Sequence, residues 1–201
     1  MPGIEGYEEV WGRGVYHCLF CDGYEDRGAE SVGVLAVGDM AEVQVAVHMA
    51  RMAKRLSGRV TIYTDGDGEL GSKLKEVIGG DGAIVVDGRR VVKLEKASAE
   101  SGVKVLVHLD GGEIVKEGFL VHKPKTRVNG PFVSQLGLEL TEKGVIKIAA
   151  PFNEASVKGV FAVGDCASLF PAVANAMAMG VFAAGGLAAQ LQSEPVPEED
   201  V

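Results

Sequence analysis

Few residues in this chain announce a chemistry. Its 201 residues include three cysteines, four histidines and one tryptophan. Three cysteines are too few for a disulfide-stapled secreted scaffold, so the expectation is a reducing, cytoplasmic setting. There, a close cysteine pair serves catalysis or metal binding. Lys and Arg number 20 against 28 Asp and Glu, a formal net charge of −8, and that balance excludes the basic face a nucleic-acid partner requires. No apolar run reads as long enough to span a membrane. The first 14 residues lack the basic start and apolar core of a signal peptide. Aromatic residues make up only 6%, yet hydrophobic residues reach 47%, enough for one or two globular domains with real cores.

What is present begins with HCLFCDGYE at residues 17–25, where Cys18 and Cys21 form a C-x-x-C followed at once by Asp22. Three readings compete: a redox pair, half of a zinc site, or two inert buried thiols. Structural zinc needs four ligands, and neither Cys166 nor His48, His108 and His122 supplies the second pair at a zinc spacing. A Gly-rich entry and a helical exit place the sulfurs near a helix N-terminus, where a thiolate is favoured, so redox chemistry is the stronger reading. Dithiol exchange also needs a proton acceptor; a half-buried Asp22 with a raised pKa fits, and His17 is a weaker candidate. The bland alternative for Asp22 is a helix cap.

Residues 1–14 read as a Gly-rich linker. Residues 31–37 (SVGVLAV) are strand-like, residues 41–56 have helical spacing, and residues 59–64 (RVTIYT) are a second β-branched run. This is a β-α-β unit with parallel strands. A short helix is predicted over 72–78. Asp87-Gly88 predicts a hairpin over 83–94, and Asp110-Gly111-Gly112 another over 103–121. The basic, Pro-containing loop 123–127 is the expected domain crossing. Beyond it come short strands near 145–148 and 160–163. A long Ala-, Gly- and Met-rich helix follows from about 172 to 191, apolar most of the way round and expected to be buried. Residues 193–201 are acidic and read as a disordered tail. No internal repeat is evident.

The β-α-β unit is where a dinucleotide fingerprint, G-x-G-x-x-G/A, belongs. The chain instead offers Ala36-Val37-Gly38-Asp39-Met40-Ala41, with Ala in place of the first Gly and a carboxylate near the pyrophosphate position. After the second strand, Thr64-Asp65-Gly66-Asp67 carries acids and no cation. Residues 66–71 match G-x-G-x-x-G literally, but two acids flank them, and a polar loop with a helix cap is the better reading. Near the end, Gly164-Asp165 closes an apolar strand ahead of the long helix, and such an Asp can accept a hydrogen bond from a sugar-alcohol hydroxyl.

In combination and in order, these segments resemble the thioredoxin reductase-like flavoprotein family. The matching stretches are Pro2-Gly3, Trp11 to Val15, Cys18-x-x-Cys21-Asp22-Gly23, the β-α-β unit, and residues 159–165 with the last helix. The resemblance implies an α/β fold. A Rossmann-like NADPH-type domain bearing the C-x-x-C would occupy residues 15–121, and the C-terminal half of a split FAD-type domain residues 122–192. The other FAD half would precede this stretch. The eroded dinucleotide turn, CLFCDGYE, VANAMAMG, and Pro171-Ala172-Val173 in place of an Arg-Gln pair are similar to fungal FAD-dependent dithiol oxidases, which form disulfides in small secondary metabolites and pass electrons to oxygen.

By that resemblance, Cys18 exchanges with substrate thiol, Cys21 faces the flavin and Asp22 shuttles the proton. Gly164, Asp165, Ala172 and Val173 contact FAD. NADPH is not expected, and FAD is expected weakly or not at all in this chain alone. The implied partners are a small-molecule dithiol and a second subunit, since the family is commonly dimeric; neither nucleic acid nor membrane is expected. An NADPH-dependent thioredoxin reductase is the first alternative. A remnant lacking FAD, serving as a binding protein or non-redox enzyme, is the second.

Overall fold

The computed structural model describes residues 2–80, 82–98 and 102–193. The chain divides into two compact units, Met1–Lys125 and Thr126–Val201.

The first unit opens with a short helix, α1 (Tyr7–Val10), and strand β1 (Val15–Tyr16). An irregular helical turn over Leu19–Gly23 leads to β2 (Ala29–Leu35), α2 (Val43–Ala53), β3 (Ser57–Tyr63), α3 (Gly68–Ile78) and β4 (Ile84–Asp87). Strands β5 (Val91–Lys96), β6 (Val105–Leu109), β7 (Ile114–Glu117) and β8 (Leu120–Val121) complete it. Five strands make a parallel sheet in the order β1-β8-β2-β3-β4, and β5-β6-β7 make a separate antiparallel sheet.

The period-2 alternation of β2 and β3 assigns their side chains to two cores. Val32, Val34, Val60 and Ile62 pack with Ala46, Val47 and Ala50 of α2 and Leu74 of α3. Leu35 and Tyr63 point the other way, onto Leu94, Val105 and Val107 of the antiparallel sheet. The unit is thus three layers: helices, parallel sheet, antiparallel sheet. Gly33 faces the second core, where a Cβ would lie 2.2 Å from Leu120 Cδ2 and 2.7 Å from Tyr63 Cε2, so only glycine lets the layers close.

The second unit holds α4 (Phe132–Gln135), an antiparallel pair of β9 (Ile148–Ala149) and β10 (Glu154–Ala155), and the 21-residue α5 (Val173–Ser193). Its small core gathers Leu138, Ile146, Ala162, Ala167 and Met179.

The β-α-β unit and the doubly covered parallel sheet match the α/β expectation. Several details differ. The hairpin predicted over 83–94 does not form. β4 pairs in parallel with β3, while β5 pairs with β6, because the apolar face of residues 84–87 completes the parallel sheet. The second predicted hairpin closes only over β6 and β7, and the chain then leaves so that β8 can fill the place between β1 and β2. Residues 1–14 are not a free linker: Tyr7 and Val10 are each 1% exposed, buried against β5 and β6. α3 starts at Gly68, earlier than predicted. The strand expected over 160–163 reduces to one bridge, Glu154 to Phe161, and the one expected over 145–148 to a Leu140–Ile146 bridge ahead of β9.

The largest difference is α5. It was expected to be buried, yet Val173, Met177, Val181 and Leu191 are each more than 60% exposed. It is also long and apolar enough, by length and composition, to cross a membrane, contrary to the reading that no such run exists. The expected tail at 193–201 lies outside the described residues apart from Ser193, the last residue of α5.

Candidate active site

Cys18 and Cys21 are joined as a disulfide, with Cα atoms 5.4 Å apart. They sit on the loop between β1 and β2. Its entry is fixed by His122 N–H donating to the Tyr16 carbonyl at 2.9 Å, and its exit by Gly28 N–H donating to the Leu56 carbonyl at 2.7 Å. Leu19, between the cysteines, is a buried peg in the helix-side core. Gly23 backs against it, and a Cβ there would meet Leu19 Cδ2 at 2.8 Å. With Leu19 turned inward, Phe20 turns outward and is 83% exposed. Cys21 is exposed and Cys18 half-buried, so the disulfide is open to solution.

The helical exit expected after the cysteines is only this irregular turn. Cys21 itself has φ −98° and ψ −105°, outside helical space, so the turn supplies little dipole to a thiolate. Asp22 is not half-buried as expected. It is exposed, and its carboxylate has no hydrogen-bond partner among the described residues, because Leu19 and Gly23 take up the inward positions of the turn. His17 is exposed beside Trp11, with ring centroids 6.0 Å apart. No cluster that could hold a metal ion occurs among the described residues. Cys166, in the other unit, is a free thiol.

Three residues of the loop's surroundings were missed. Tyr16 Oη donates to Asp26 Oδ2 at 2.7 Å, and Lys104 Nζ reaches Asp26 Oδ2 at 2.5 Å and Tyr16 Oη at 3.1 Å. Burial, then the Asp26 hydrogen bond, pushes the Tyr16 phenol up. Burial opposes the charge on Lys104, but its bonds to Asp26 and Tyr16 prevail and raise its pKa. No sequence signal could join Lys104 to a loop 78 residues away.

At the C-terminal ends of the parallel strands, the dinucleotide-type turn is present but carries acids. Gly38 adopts φ +58°, as such a turn requires. Asp39 is exposed, and Glu42 stands at the start of α2 without capping it. Lys123 lies beside this turn, its N–H 2.8 Å from Met40 Sδ. After β3, Asp65 Oδ1 accepts from Val91 N–H at 2.8 Å and Asp67 caps α3 through Leu70 N–H at 2.9 Å. The literal G-x-G-x-x-G at 66–71 is therefore a loop and a capped helix start. The sequence reading missed Arg89, beyond the end of β4. It is held between Asp87 at 2.6 Å and Glu113 at 2.5 Å. His122, 2% exposed, follows β8 and meets Tyr7 Oη through Nδ1 at 2.7 Å; burial pushes its pKa down to about 4.

In the second unit, Gly164 takes φ +68° and Asp165 is exposed, its carboxylate without a partner among the described residues. Ala172 and Val173, at the start of α5, are exposed too. An open carboxylate and an open end of a long helix fit the ribityl hydroxyls and anionic ring of a flavin.

Residues 44–180 match the pyridine nucleotide-disulphide oxidoreductase family. The chain belongs to this family. The match begins after the cysteine pair and ends at residue 180, within α5. The chain is 43% identical to a thioredoxin reductase of Gibberella zeae over 96% of its length and 62% of the relative's. It is 42% identical to the thioredoxin reductase aclD of Aspergillus oryzae, over 95% of the chain and 60% of the relative. Among solved structures, an oxidoreductase from Agrobacterium tumefaciens superposes with a TM-score of 0.78 at 27% identity, covering 96% of this chain and 62% of that one. The chain spans about 60% of the length of these relatives. It is similar to thioredoxin reductases, as the resemblance implied.

Proposed function

We propose that this chain provides the dithiol-exchange part of an FAD-dependent thiol oxidase that closes disulfides in small-molecule dithiols, with oxygen as the final electron acceptor. The observation that carries the reading is an open Cys18–Cys21 disulfide in a unit whose dinucleotide-type turn is lined by Asp39 and Glu42. Of the two arginines that follow β4, Arg89 is occupied by two carboxylates, which leaves it poorly suited to a 2′-phosphate, while Arg90 beside it is exposed.

The exchange follows from thiol chemistry. A substrate thiolate attacks Cys18 Sγ, the Cys18–Cys21 bond breaks, and Cys21 leaves as a thiolate. The second substrate thiol, deprotonated, attacks the substrate sulfur of the mixed disulfide. Cys18 leaves, and the substrate departs as a disulfide. Two electrons now reside on the cysteine pair. Asp22, next to Cys21 and open to solvent, takes and returns the proton. Gly164, Asp165, Ala172 and Val173 would hold FAD, which would supply the two-electron acceptor for the reduced cysteine pair, with oxygen as the final acceptor and hydrogen peroxide as its product. The exposed Phe20 offers an apolar side chain beside the pair. A homodimer is part of the same reading.

A second reading, an NADPH-dependent thioredoxin reductase, is favoured by the relatives' names and by Lys123 beside Met40. Anaerobic titration of the full-length, FAD-loaded protein separates the two. Flavin bleaching by dithiol alone, lost in Cys21→Ser, is the expected result; bleaching by stoichiometric NADPH at the turnover rate would reject the oxidase.

A further inference from the structure

Between Tyr16 and Asp26 the chain carries both redox cysteines, yet only one residue of this stretch, Leu19, is anchored as a hydrophobic side chain in the core. The ends of the stretch are tied to each other. Tyr16, 4% exposed, is fixed at the end of β1 beside Phe119, with ring centroids 5.6 Å apart. Its hydroxyl reaches across the loop base to Asp26 at 2.7 Å. Lys104 closes the triangle from outside the loop. Its own backbone is immobilised, with its N–H donating to the Glu117 carbonyl at 3.0 Å and its carbonyl accepting from Ala97 N–H at 2.9 Å. The loop base is thus clamped to both sheets of the first unit.

We propose that Tyr16, Asp26 and Lys104 are positioning residues that hold the reduced C-x-x-C loop in the conformation from which its disulfide closes. This rests on the dithiol-exchange reading of Cys18 and Cys21. The oxidised loop carries its own covalent staple over residues 18–21; the reduced loop does not. Once the sulfur–sulfur bond is reduced by two electrons and two protons, the clamp and the Leu19 peg, with local contacts such as His17 against Trp11 and Gly23 N–H donating to the Cys18 carbonyl at 3.3 Å, limit the conformations of residues 17–25. Loosening the base adds states to the reduced loop and few to the oxidised one. The effective concentration of one thiol at the other falls, and closure becomes less favourable. Loss of the clamp therefore makes the pair more oxidising.

The experiment equilibrates the chain with reduced and oxidised glutathione at a series of ratios, traps thiols, and reads the state of Cys18 and Cys21 by mass. Tyr16→Phe, Asp26→Asn and Lys104→Met are each expected to lower the disulfide-to-dithiol ratio at a fixed glutathione ratio by about threefold to tenfold, ~14 to ~30 mV for a two-electron couple. Lys104→Arg, which keeps the charge and the donors, is expected to restore most of it. Melting temperatures of the fully oxidised and fully reduced forms serve as the control, since a purely structural loss lowers both alike. Folded variants titrating with the wild-type midpoint would overturn the clamp. Tyr16→Phe removes a single hydroxyl and keeps the ring packing, so it reports even where the charge variants fail to fold. If the wild-type pair does not exchange electrons with glutathione at all, the dithiol-exchange reading itself fails; cycling with an unaltered midpoint in the variants defeats the clamp alone.

Discussion

The same four residues, Ala-Val-Gly-Asp, occur at 36–39 in the first unit and at 162–165 in the second. They fold alike. The valine is extended, with φ −124° and ψ 158° at Val37 and φ −138° and ψ 159° at Val163. The glycine turns left-handed, and the N–H of the residue three positions on donates to its carbonyl at 3.0 Å in both. Local sequence dictates that geometry, since only glycine enters it without a Cβ penalty. The surroundings then diverge. After Gly38, α2 buries Ala46, Val47, Ala50 and Ala53 beneath a five-stranded sheet. After Gly164, α5 leaves most of its apolar surface in solvent. One turn is built into a finished three-layer unit and has Glu42 as a second acid beside Asp39; the other keeps an open helix end beside Asp165. A local motif therefore fixes a turn without fixing its use.

The sharpest break in this comparison is in packing. Ile62→Ala, at a fully buried position of the first unit, is expected to cost about 2–5 kcal/mol. Val181→Ala, on the 72% exposed face of α5, is expected to stay within about 0.5 kcal/mol. Urea unfolding of the two variants checks the contrast, and equal losses would show that α5 is covered in solution.

Acid should separate the units next, because all four histidines lie before residue 123. His122 has its pKa pushed down to about 4 by burial, so the folded state resists its protonation. As pH falls from about 6.5 to about 4 the unfolded chain binds the extra proton, and ~3 kcal/mol of stability is lost from the first unit. Glu117 works the other way. Burial raises its pKa, so its contribution is present in acid and is lost as pH rises through the folded value. Denaturant midpoints against pH should show the acid loss in wild type and a flatter profile in His122→Gln.

The two aspartates sharpen the functional half of the contrast. Asp165→Asn in the FAD-loaded full-length protein is expected to weaken flavin retention about tenfold, ~1.4 kcal/mol. Asp39→Asn is expected to leave it unchanged. Fluorescence of released FAD on dilution measures both. The smallest effect is the shared one. Gly38→Ala and Gly164→Ala should each cost ~1 kcal/mol, since a positive φ penalises any Cβ and neither site clashes severely. A large difference between them would mean that the turns are not locally equivalent.

Much of the fold was legible from residues that are near one another in sequence. The apolar and β-branched runs at residues 31–37 and 59–64, joined by the helical spacing of Val43, Ala46, Val47 and Ala50, specified a β-α-β unit with parallel strands. A helix cap within the loop at 66–71 was legible because capping is decided within three residues, though Asp67 was not singled out as the capping residue. The hairpin at 83–94 was misjudged because Asp-Gly permits a tight turn wherever it occurs. Whether β4 joins β5 or β3 depends on which sheet has an apolar edge to fill, and that is not written in the turn. The exposure of Asp22 was likewise decided by its neighbours Leu19 and Gly23 taking the inward positions.

By itself, the sequence determined the elements whose causes are local: the left-handed glycines, the caps, the two periodicities, and the closeness of Cys18 to Cys21. Two residues of separation let the sulfurs meet whatever the rest of the chain does. Tertiary structure alone decided what surrounds that pair. Tyr16, Asp26 and Lys104 come together only after β8 has slotted between β1 and β2 and the antiparallel sheet has closed over the parallel one. The same closure buried His122 against Tyr7 and brought Glu113 to Arg89. Contacts over such separations carry no signature in the chain, because they arise from the packing of layers and not from the preferences of any single segment.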